Sequence, residues 1–358
     1  MFLGVIGLSL GDQHSMILRE DGSVWSTSIL FRGDLVDSGV RTKEFSKAIS
    51  SGAVALSAGT GYSLVLKQDG HVMGMGRNSK GQLGDGSKER ADTFISVQVI
   101  LEANAVAAGG FHSLVLTQDG YIWATGWNKY GQLGDDLKSY RIRFYKAVSN
   151  QAKAVAAGDM HTIVLKQDGS VWGTGRNYNG QLGDASKNDR FGFVEVIAGG
   201  AAKVAAGGYH SMVLREDGSV WATGWNEYGQ LGDGSTTDST NYVKVVQSGA
   251  TTVAAKAIAA GSRHSMILNQ DGSLWATGYN QYGQLGDRST MDSMVFVQVM
   301  TGGANIVSAG SFHSMVVKHD GSLWATGSNK YGQFGDNLMY AKQSFVRLSP
   351  FVNGAEYV

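Results

Sequence analysis

The sequence contains no cysteine and a single proline, and neither basic nor acidic residues are in excess. Without cysteine the chain cannot rest on a disulfide framework. One proline, with no three-residue period of glycine, excludes a collagen-like chain. The balance of 30 basic and 30 acidic residues argues against a general binder of nucleic acid or anionic membranes. No run of 18 apolar residues is present, so we expect no segment that spans a bilayer. From the charge balance, we expect neither membrane nor nucleic acid as the partner.

Glycine is abundant, with 51 copies, and much of it belongs to a repeated pattern. An Asp-Gly pair recurs about every 50 residues, beginning at Asp21, Asp69, Asp119, Asp168, Asp217, Asp271 and Asp320. Six of the seven copies continue with Gly-Gln-Leu-Gly-Asp, in the last case with Phe334 in place of leucine. The first copy is degenerate over Gly33–Asp37. Seven copies of one unit therefore fill the chain.

Each unit has the pattern of a small antiparallel sheet. Short β-branched and aromatic runs flank the Asp-Gly pair, which predicts a tight two-residue hairpin with φ > 0 at both central positions. No copy carries an apolar stripe of helical period. A sheet of three or four strands cannot bury both faces alone, but seven such sheets can do so in a ring. We therefore predict an all-β seven-bladed β-propeller that forms a single domain over residues 1–358.

The two ends of the chain suggest how the ring closes. Residues Ile6–Gly11 align with Val54–Gly59, so we interpret the apolar amino terminus as a repeat strand rather than a cleaved signal peptide. Residues Gly354–Val358 align with Gly303–Val307, so the chain stops where another such strand would begin. We expect the amino-terminal strand to close the ring against the carboxyl end and to remove an exposed edge.

The motifs Gly-x-x-His-Ser, Asp-Gly-x-Val-Trp-Ala-Thr-Gly-x-Asn and Tyr-Gly-Gln-Leu-Gly-Asp resemble the repeat of the regulator of chromosome condensation family, from Leu8 to Val358. The resemblance implies a seven-bladed propeller used for protein recognition, and we expect an intracellular protein, cytoplasmic or nuclear. Members of this family include a nucleotide exchange factor for a nuclear small GTPase, domains of giant ubiquitin ligases and a plant UV-B photoreceptor. The resemblance therefore implies no single activity.

Catalytic and metal-binding patterns have simpler explanations. A His-Ser pair with an aspartate seven residues after the histidine suggests a hydrolase triad at His14, His112, His210, His264 and His313. Adjacent strand residues point to opposite faces, however, and a catalytic centre would not recur in nearly every copy. We predict buried imidazoles bonded to the backbone of a neighbouring turn. With histidines one blade apart and no glycine loop before a helix, we expect no enzyme activity, no metal and no cofactor.

Function should lie in the positions that differ between copies, since a repeated scaffold presents its differences at its loops. Directly before the histidine position stand Phe111, Met160, Tyr209, Arg263 and Phe312, which should form one partner-binding ring on one face. Aromatic, methionine and arginine side chains are enriched at interfaces. The alternative is that these side chains pack between blades.

Three further features add to this hypothesis. Trp127 and Trp225 are additional to the framework tryptophans; we predict partner binding for them, with blade packing or arginine stacking as the alternative, and place Trp225 on the opposite face. Lys138–Lys146 is a basic stretch with interleaved aromatics, which we interpret as a solvated outer loop rather than a binding patch. The spacing from Asp217 to Asp271 is 54 residues, the largest departure from the period.

The leading functional hypothesis is a non-catalytic protein-interaction module or scaffold. The alternative is a guanine nucleotide exchange factor or regulator of a small GTPase, which in this family works through a projecting wedge. An added wedge would break the period, and the break near Thr251–Ala255 amounts to only about five residues. A homodimer through the variable face is a further alternative.

Overall fold

The computed structural model describes residues 4–27, 44–100, 102–147, 151–245 and 254–349. Within these ranges the regular elements are strands, with no helix. The strands form seven antiparallel sheets of four strands each, and in every sheet the strands pair in chain order. The predicted all-β seven-bladed propeller is thereby confirmed. The degenerate segment Gly33–Asp37 lies outside the described residues.

The strands are numbered in chain order. Blade 1 contains β1 (Val5–Leu10), β2 (Ser15–Arg19), β3 (Val24–Ser26) and β4 (Ser46–Ile49). Blade 2 contains β5 (Ala53–Ala58), β6 (Tyr62–Lys67), β7 (His71–Gly76) and β8 (Ala91–Val99). Blade 3 contains β9 (Ala103–Ala108), β10 (His112–Thr117), β11 (Ile122–Gly126) and β12 (Arg141–Lys146). Blade 4 contains β13 (Ala152–Ala157), β14 (His161–Lys166), β15 (Val171–Gly175) and β16 (Arg190–Ile197).

The remaining three blades repeat the arrangement. Blade 5 contains β17 (Ala201–Ala206), β18 (His210–Arg215), β19 (Val220–Gly224) and β20 (Ser239–Lys244). Blade 6 contains β21 (Ala255–Ala260), β22 (His264–Asn269), β23 (Leu274–Gly278) and β24 (Ser293–Met300). Blade 7 contains β25 (Ala304–Ala309), β26 (His313–Lys318), β27 (Leu323–Gly327) and β28 (Lys342–Arg347).

Each blade runs from the centre of the ring outwards. The first strand is innermost, and small residues at the ends of these inner strands line a central channel. The second strand is the most buried: every residue of β10 and of β22 is buried. Because neighbouring blades cover both of its faces, this strand carries consecutive apolar residues, such as Leu114–Leu116, instead of an alternating pattern. The core consists of such inter-blade clusters, for example Leu64 and Leu66 of blade 2 with Val115 of blade 3.

The Asp-Gly turn differs from the two-residue hairpin that its sequence predicts. In blade 3 only Gly120 has a positive φ, at 82°, and Asp119 does not. The amide of Thr117 donates to the carbonyl of Tyr121, and the amide of Gly120 donates back to the carbonyl of Thr117. The loop therefore has three residues, with glycine alone in the left-handed region, which is the second common hairpin geometry. The prediction of φ > 0 at both positions is wrong.

The ring closes between blades 1 and 7. Leu10 and Ile17 of blade 1 share an apolar cluster with Met315 and Val317 of blade 7. At the channel, the amide of Ser311 donates to the carbonyl of Gly11 at 3.3 Å. The strand β1 pairs with β2 of its own blade, so it packs against blade 7 at the inner edge and does not complete its sheet. Closure thus rests on packing between whole blades; the segment Gly354–Val358 lies outside the described residues.

Candidate interaction face

In each blade, the second and third strands form a central hairpin. Its register places the residue before the histidine position beside the residue after the glycine that pairs with that position. In blade 5, His210 pairs with Gly224, and the amide of Trp225 donates to the carbonyl of Tyr209 at 2.9 Å. Gly224 has φ 109°, and a Cβ there would lie 2.5 Å from the carbonyl oxygen of Tyr209. Only glycine lets the two backbones approach this closely.

The prediction that Trp225 lies on the opposite face from Tyr209 is therefore wrong. Because the three-residue turn is symmetric about the aspartate, the residue before the histidine always meets the residue after the glycine. The same amide-to-carbonyl bond joins Trp127 to Phe111 and Ser328 to Phe312. All seven predicted binding residues consequently lie on one face of the ring, the face at which the inner strand ends.

Side chains on this face touch one another in a continuous row from blade 3 to blade 7. The ring centroids of Tyr209 and Trp225 are 5.9 Å apart, and those of Trp225 and Tyr228 are 5.3 Å apart, both edge to face. We call the whole row the aromatic–arginine arc. Its members are Phe111, Trp127, Tyr130, Arg176, Tyr209, Trp225, Tyr228, Arg263, Tyr279, Tyr282 and Phe312.

Two arginine side chains contact aromatic rings from different blades and so connect the arc. The guanidinium carbon of Arg263 lies 5.5–5.9 Å from four ring centroids, those of Trp225, Tyr228, Tyr279 and Phe312. Arg176 bridges the gap between blades 3 and 5, because its guanidinium lies 5.2 Å from the ring of Tyr130 and 5.5 Å from that of Tyr209. Met160 joins the row through a 3.4 Å contact of its sulfur with Nη1 of Arg176. Such stacking favours a fixed orientation of the guanidinium plane.

Most side chains of the arc are partly exposed to solvent. Phe111, Tyr209 and Phe312 are each partly exposed, as are Trp127 and Trp225. Packing entirely between blades, the alternative considered for these residues, is thus not what the structure shows. Tyr279 is the exception, with an exposed fraction of 7%, and it forms the floor on which its neighbours rest. At the rim Tyr282 is 44% exposed.

Sequence reasoning missed the tyrosines of the Tyr-Gly-Gln-Leu-Gly motif. Tyr130, Tyr228 and Tyr282 belong to the framework motif, yet their rings contact arc residues. A signal for them exists, because blades 2 and 4 carry Lys80 and Asn179 at the same position. A position that varies between copies within a framework motif therefore belongs with the variable face.

The mouth of the channel lies beside the arc and carries two carboxyl groups. The space enclosed there is small, about 70 Å³, and is lined by backbone and short side chains that include Asp12 and Asp159. Burial raises the pKa of Asp159 to about 6, and the nearby carboxylate of Asp12 acts in the same direction, while the charge of Arg263 opposes the shift. Ser262 and Ser311 of the adjacent blades 6 and 7 share a hydrogen bond of 2.8 Å at the mouth. A narrow mouth of this kind suits a single inserted side chain better than an organic cofactor.

The repeated histidines form a belt between blades. His210 Nε2 lies 2.8 Å from the hydroxyl of Ser265 in the next blade, and that hydroxyl donates to the carbonyl of Gln230 at 2.7 Å. Because the hydroxyl hydrogen is used, the imidazole Nε2 is the donor. In blade 2, Tyr62 replaces the histidine and its hydroxyl lies 2.9 Å from the hydroxyl of Ser113.

The belt continues around the ring with the pairs His14–Ser63, His112–Thr162, His161–Ser211, His264–Ser314 and His313–Ser15. The predicted burial of these imidazoles is confirmed, but their partner is a hydroxyl of the next blade and the backbone carbonyl is reached only through it. Neighbouring strand residues point to opposite faces, so each histidine bonds to the serine or threonine of another copy. Desolvation lowers the pKa of His210 to about 4 and that of His264 to about 3.

The basic stretch Lys138–Lys146 continues into the outer strand of blade 3. Arg141 forms an ion pair of 3.0 Å with Asp135, and the ammonium of Lys146 lies 3.1 Å from the ring centroid of Tyr121. Lys138 lies over the ring of Phe191 in the neighbouring blade. These three cations contact groups of the protein itself, in keeping with the solvated outer position that the sequence favours. The expected loop is only partly a loop, because Arg141–Lys146 is a strand.

No group of three or more histidine, cysteine or acidic side chains among the described residues could hold a metal ion. In that part of the chain no helix has the length and hydrophobicity needed to cross a lipid bilayer.

A ring of seven four-stranded blades defines the class of protein as a seven-bladed β-propeller. The chain belongs to the family of RCC1-like domains, whose model matches residues 2–301. The model of the regulator of chromosome condensation (RCC1) repeat matches residues 306–333 in addition. The resemblance inferred from the sequence motifs is thereby confirmed.

Solved structures of similar fold include two eukaryotic propellers. Human WBSCR16 shares 22% identity with this chain, covering 89% of it and 88% of its own length, with a TM-score of 0.79. Prp20p from Saccharomyces cerevisiae, described with its binding properties to Gsp1p and histones, shares 20% identity, covering 90% and 83%, with a TM-score of 0.77. At this identity the likeness concerns the fold alone. No curated protein matches in a comparison of sequences.

Proposed function

We propose that this chain is a non-catalytic protein-interaction module and that the aromatic–arginine arc is its binding surface. The observation that carries the proposal is the arc itself, in which side chains from five consecutive blades touch in one row beside the channel. Aromatic and arginine side chains are enriched at the centres of protein interfaces. Backbone hydrogen bonds such as that from the amide of Trp225 to the carbonyl of Tyr209 tie the arc to the strands, so little ordering is needed on binding.

The proposal includes the other expectations drawn from the sequence. The partner is a protein, no cofactor or metal takes part, and the site of action is intracellular, in the cytoplasm or nucleus. The buried histidine belt supports the non-catalytic part, because its imidazoles are 0–2% exposed and are engaged between blades. A hydrolase would need at least one of them open to substrate.

The test is loss of partner binding when the centre of the arc is truncated. Partners are crosslinked in native cell extract, identified, and then measured as purified pairs. Tyr209→Ala combined with Trp225→Ala should weaken the binary affinity by about 2 kcal/mol or more, because both side chains lie at the centre of the row. His319→Ala, an exposed residue in the turn on the opposite face, is the control. Unchanged affinity in a folded double variant would refute the proposal.

A second candidate is regulation of a small GTPase, including guanine nucleotide exchange. It is supported by family membership and by the fold shared with Prp20p, a protein described with its binding to Gsp1p. The break in the repeat period that would mark a wedge falls mainly on residues 246–253, outside the described residues. Release of labelled GDP from purified nuclear and cytoplasmic GTPases tests this candidate; no acceleration by stoichiometric protein would exclude exchange on the GTPases assayed.

A homodimer through the same face is the third alternative. Self-association would cover Tyr209 and Arg263 with a second copy, so both substitutions to alanine should shift the equilibrium to monomer. Sedimentation at several concentrations distinguishes this case from a heterologous partner. A monomer at every concentration used for partner binding would leave the arc free for that partner.

A further inference from the structure

The arc contains two guanidinium groups whose ring-facing surfaces are covered and whose N–H donors bond to no oxygen atom of the described residues. Arg263 stacks against four aromatic rings at 5.5–5.9 Å. Its side chain takes part in no hydrogen bond and no ion pair with the described residues. A guanidinium carries five N–H donors in its plane, and stacking satisfies none of them. All of these donors are therefore available to a bound molecule.

The charge of Arg263 acts on the carboxyl group of Asp159, but this carboxyl group does not neutralise the arginine. No ion pair joins the two side chains, and the pKa of Asp159 is raised by burial instead of being held low by the neighbouring charge. Gly208 stands between them in the ring, with Asp159 Oδ2 and the carbonyl of Ser262 on either side of the position that a Cβ would take. The Arg263 charge thus remains uncompensated by a close partner.

Arg176 repeats the arrangement on the other side of Tyr209. Its guanidinium lies 5.2 Å, 5.5 Å and 6.0 Å from the rings of Tyr130, Tyr209 and Tyr178. Its single polar contact is the 3.4 Å approach to the Met160 sulfur, which is a weak acceptor. Elsewhere the chain does pair arginines with carboxylates, as in Arg190 with Asp184 at 2.6 Å. The two arc arginines therefore differ from those used to stabilise the fold.

Two stacked and unpaired guanidinium groups, one on each side of the Tyr209–Trp225 pair, form a site for anionic groups. Planar guanidinium edges match carboxylates in a bidentate geometry, and the surrounding rings exclude water that would weaken the ion pair. The aromatic faces between them suit apolar side chains of the same partner. This arrangement fits a ligand that has two acidic groups with an apolar residue between them.

We infer that the arc binds an acidic segment of its protein partner, in which aspartate or glutamate side chains pair with Arg176 and Arg263 and an intervening apolar side chain rests on Tyr209 and Trp225. This inference rests on the proposed function. Nucleic acid is disfavoured because the whole protein has no excess of positive charge with which to bind a chain of phosphates.

The first experiment selects ligands without knowing the partner. A phage-displayed library of random 12-residue peptides is panned against the full chain and against a variant with both Arg176→Ala and Arg263→Ala. Wild-type protein should select peptides enriched in aspartate and glutamate beside an apolar residue, and the variant should lose that enrichment. Selection without acidic enrichment, or with the same enrichment by both proteins, would overturn the inference.

The second experiment measures the charge dependence directly. The best selected peptide and its copy with Gln and Asn in place of Glu and Asp are compared by fluorescence anisotropy. We expect at least a tenfold weaker affinity for the neutral copy, a comparable loss for Arg263→Ala, and a smaller loss for Arg263→Lys, which keeps the charge without the bidentate edge. Lys153→Ala, an exposed cation at the opposite end of β13, is the matched control.

The outcomes separate this inference from the proposed function. If the peptide with neutral side chains binds equally well and only Tyr209→Ala with Trp225→Ala abolishes binding, the arc is an interface but not an acid-binding one. If neither set of variants changes the affinity for the partner, both proposals fail. Tighter binding of a single-stranded oligonucleotide than of any acidic peptide would overturn the inference in favour of phosphate recognition.

Discussion

His210 illustrates how one repeated residue holds two blades together. Its neutral ring donates from Nε2 to Ser265, and its other face packs against Gly207, where a Cβ would lie 2.7 Å from Nδ1. His210→Ala leaves the serine hydroxyl without its donor in a dry interface, which costs about 1–3 kcal/mol, and opens a cavity besides. We expect a lower free energy of unfolding in a urea titration, with His319→Ala unchanged. Equal stability of the two variants would contradict the belt.

The pH dependence of stability follows from the same residues. Desolvation lowers the pKa of His14 and His210 to about 4, and desolvation, with neighbouring imidazoles in some cases, lowers that of His112, His161, His264 and His313 to about 3. The folded state keeps these rings neutral, whereas the unfolded chain takes up protons near pH 6.5. The contribution of these histidines to the free energy of unfolding is complete above pH 6.5. It is lost as pH falls towards 4, by up to about 1.4 kcal/mol per pH unit for each histidine.

Protonation of Asp159 changes the free energy of unfolding in the opposite direction over part of this pH range. Its carboxyl has a raised pKa of about 6, so the folded state takes up this proton before the unfolded chain does. One opposing group does not cancel six histidines, and we expect acid unfolding to begin between pH 6 and pH 4. Urea midpoints measured from pH 7.5 to pH 5 check this; a midpoint that does not fall with pH would show that the imidazoles are solvated.

At the scale of the strand, the glycine that ends each inner strand should be intolerant of substitution. A Cβ on Gly207 would meet the imidazole of His210 and the carbonyl oxygen of Gly261 in the next blade. Gly207→Ala should therefore destabilise the protein by about 1–3 kcal/mol, as overpacking does. Gly199→Ala is the matched control, because its nearest atom would be the Asp168 carbonyl at 3.8 Å. Differential scanning calorimetry should separate the two variants; equal melting temperatures would contradict the close approach of the blades.

The strands and their order could be predicted from the sequence, because the Asp-Gly pairs and β-branched runs recur with one period. The face of Trp225 could also have been found, since His210 and Gly224 are equidistant from Asp217 and hence paired. The partner of each histidine could not, because it depends on how far the blades are rotated against each other. The stacking of Arg263 on rings from blades 5, 6 and 7 could not be predicted for the same reason, because it depends on the relative positions of three blades.

For the whole molecule, closure of the ring predicts that the interface between blades 7 and 1 is as strong as an interior one. Ser15 accepts from His313 and donates to the carbonyl of Gln333, as Ser211 does with His161 and Gln181. Ser15→Ala and Ser211→Ala should reduce the free energy of unfolding by similar amounts. Deletion of residues 1–10 should remove cooperative unfolding altogether. If Ser15→Ala costs nothing while Ser211→Ala destabilises, the ring is open in solution.

The central claim is that the aromatic–arginine arc is where this propeller meets its partner, and hydroxyl-radical footprinting tests it most directly. The method oxidises exposed Met, Trp, Tyr and Phe side chains, which are the types found in the arc. In the complex, Met160, Tyr209 and Trp225 should be protected, while Tyr121 on the opposite face and the framework Trp172 keep their free rates. Protection of Tyr121 with the arc still oxidised at its free rate would contradict the account.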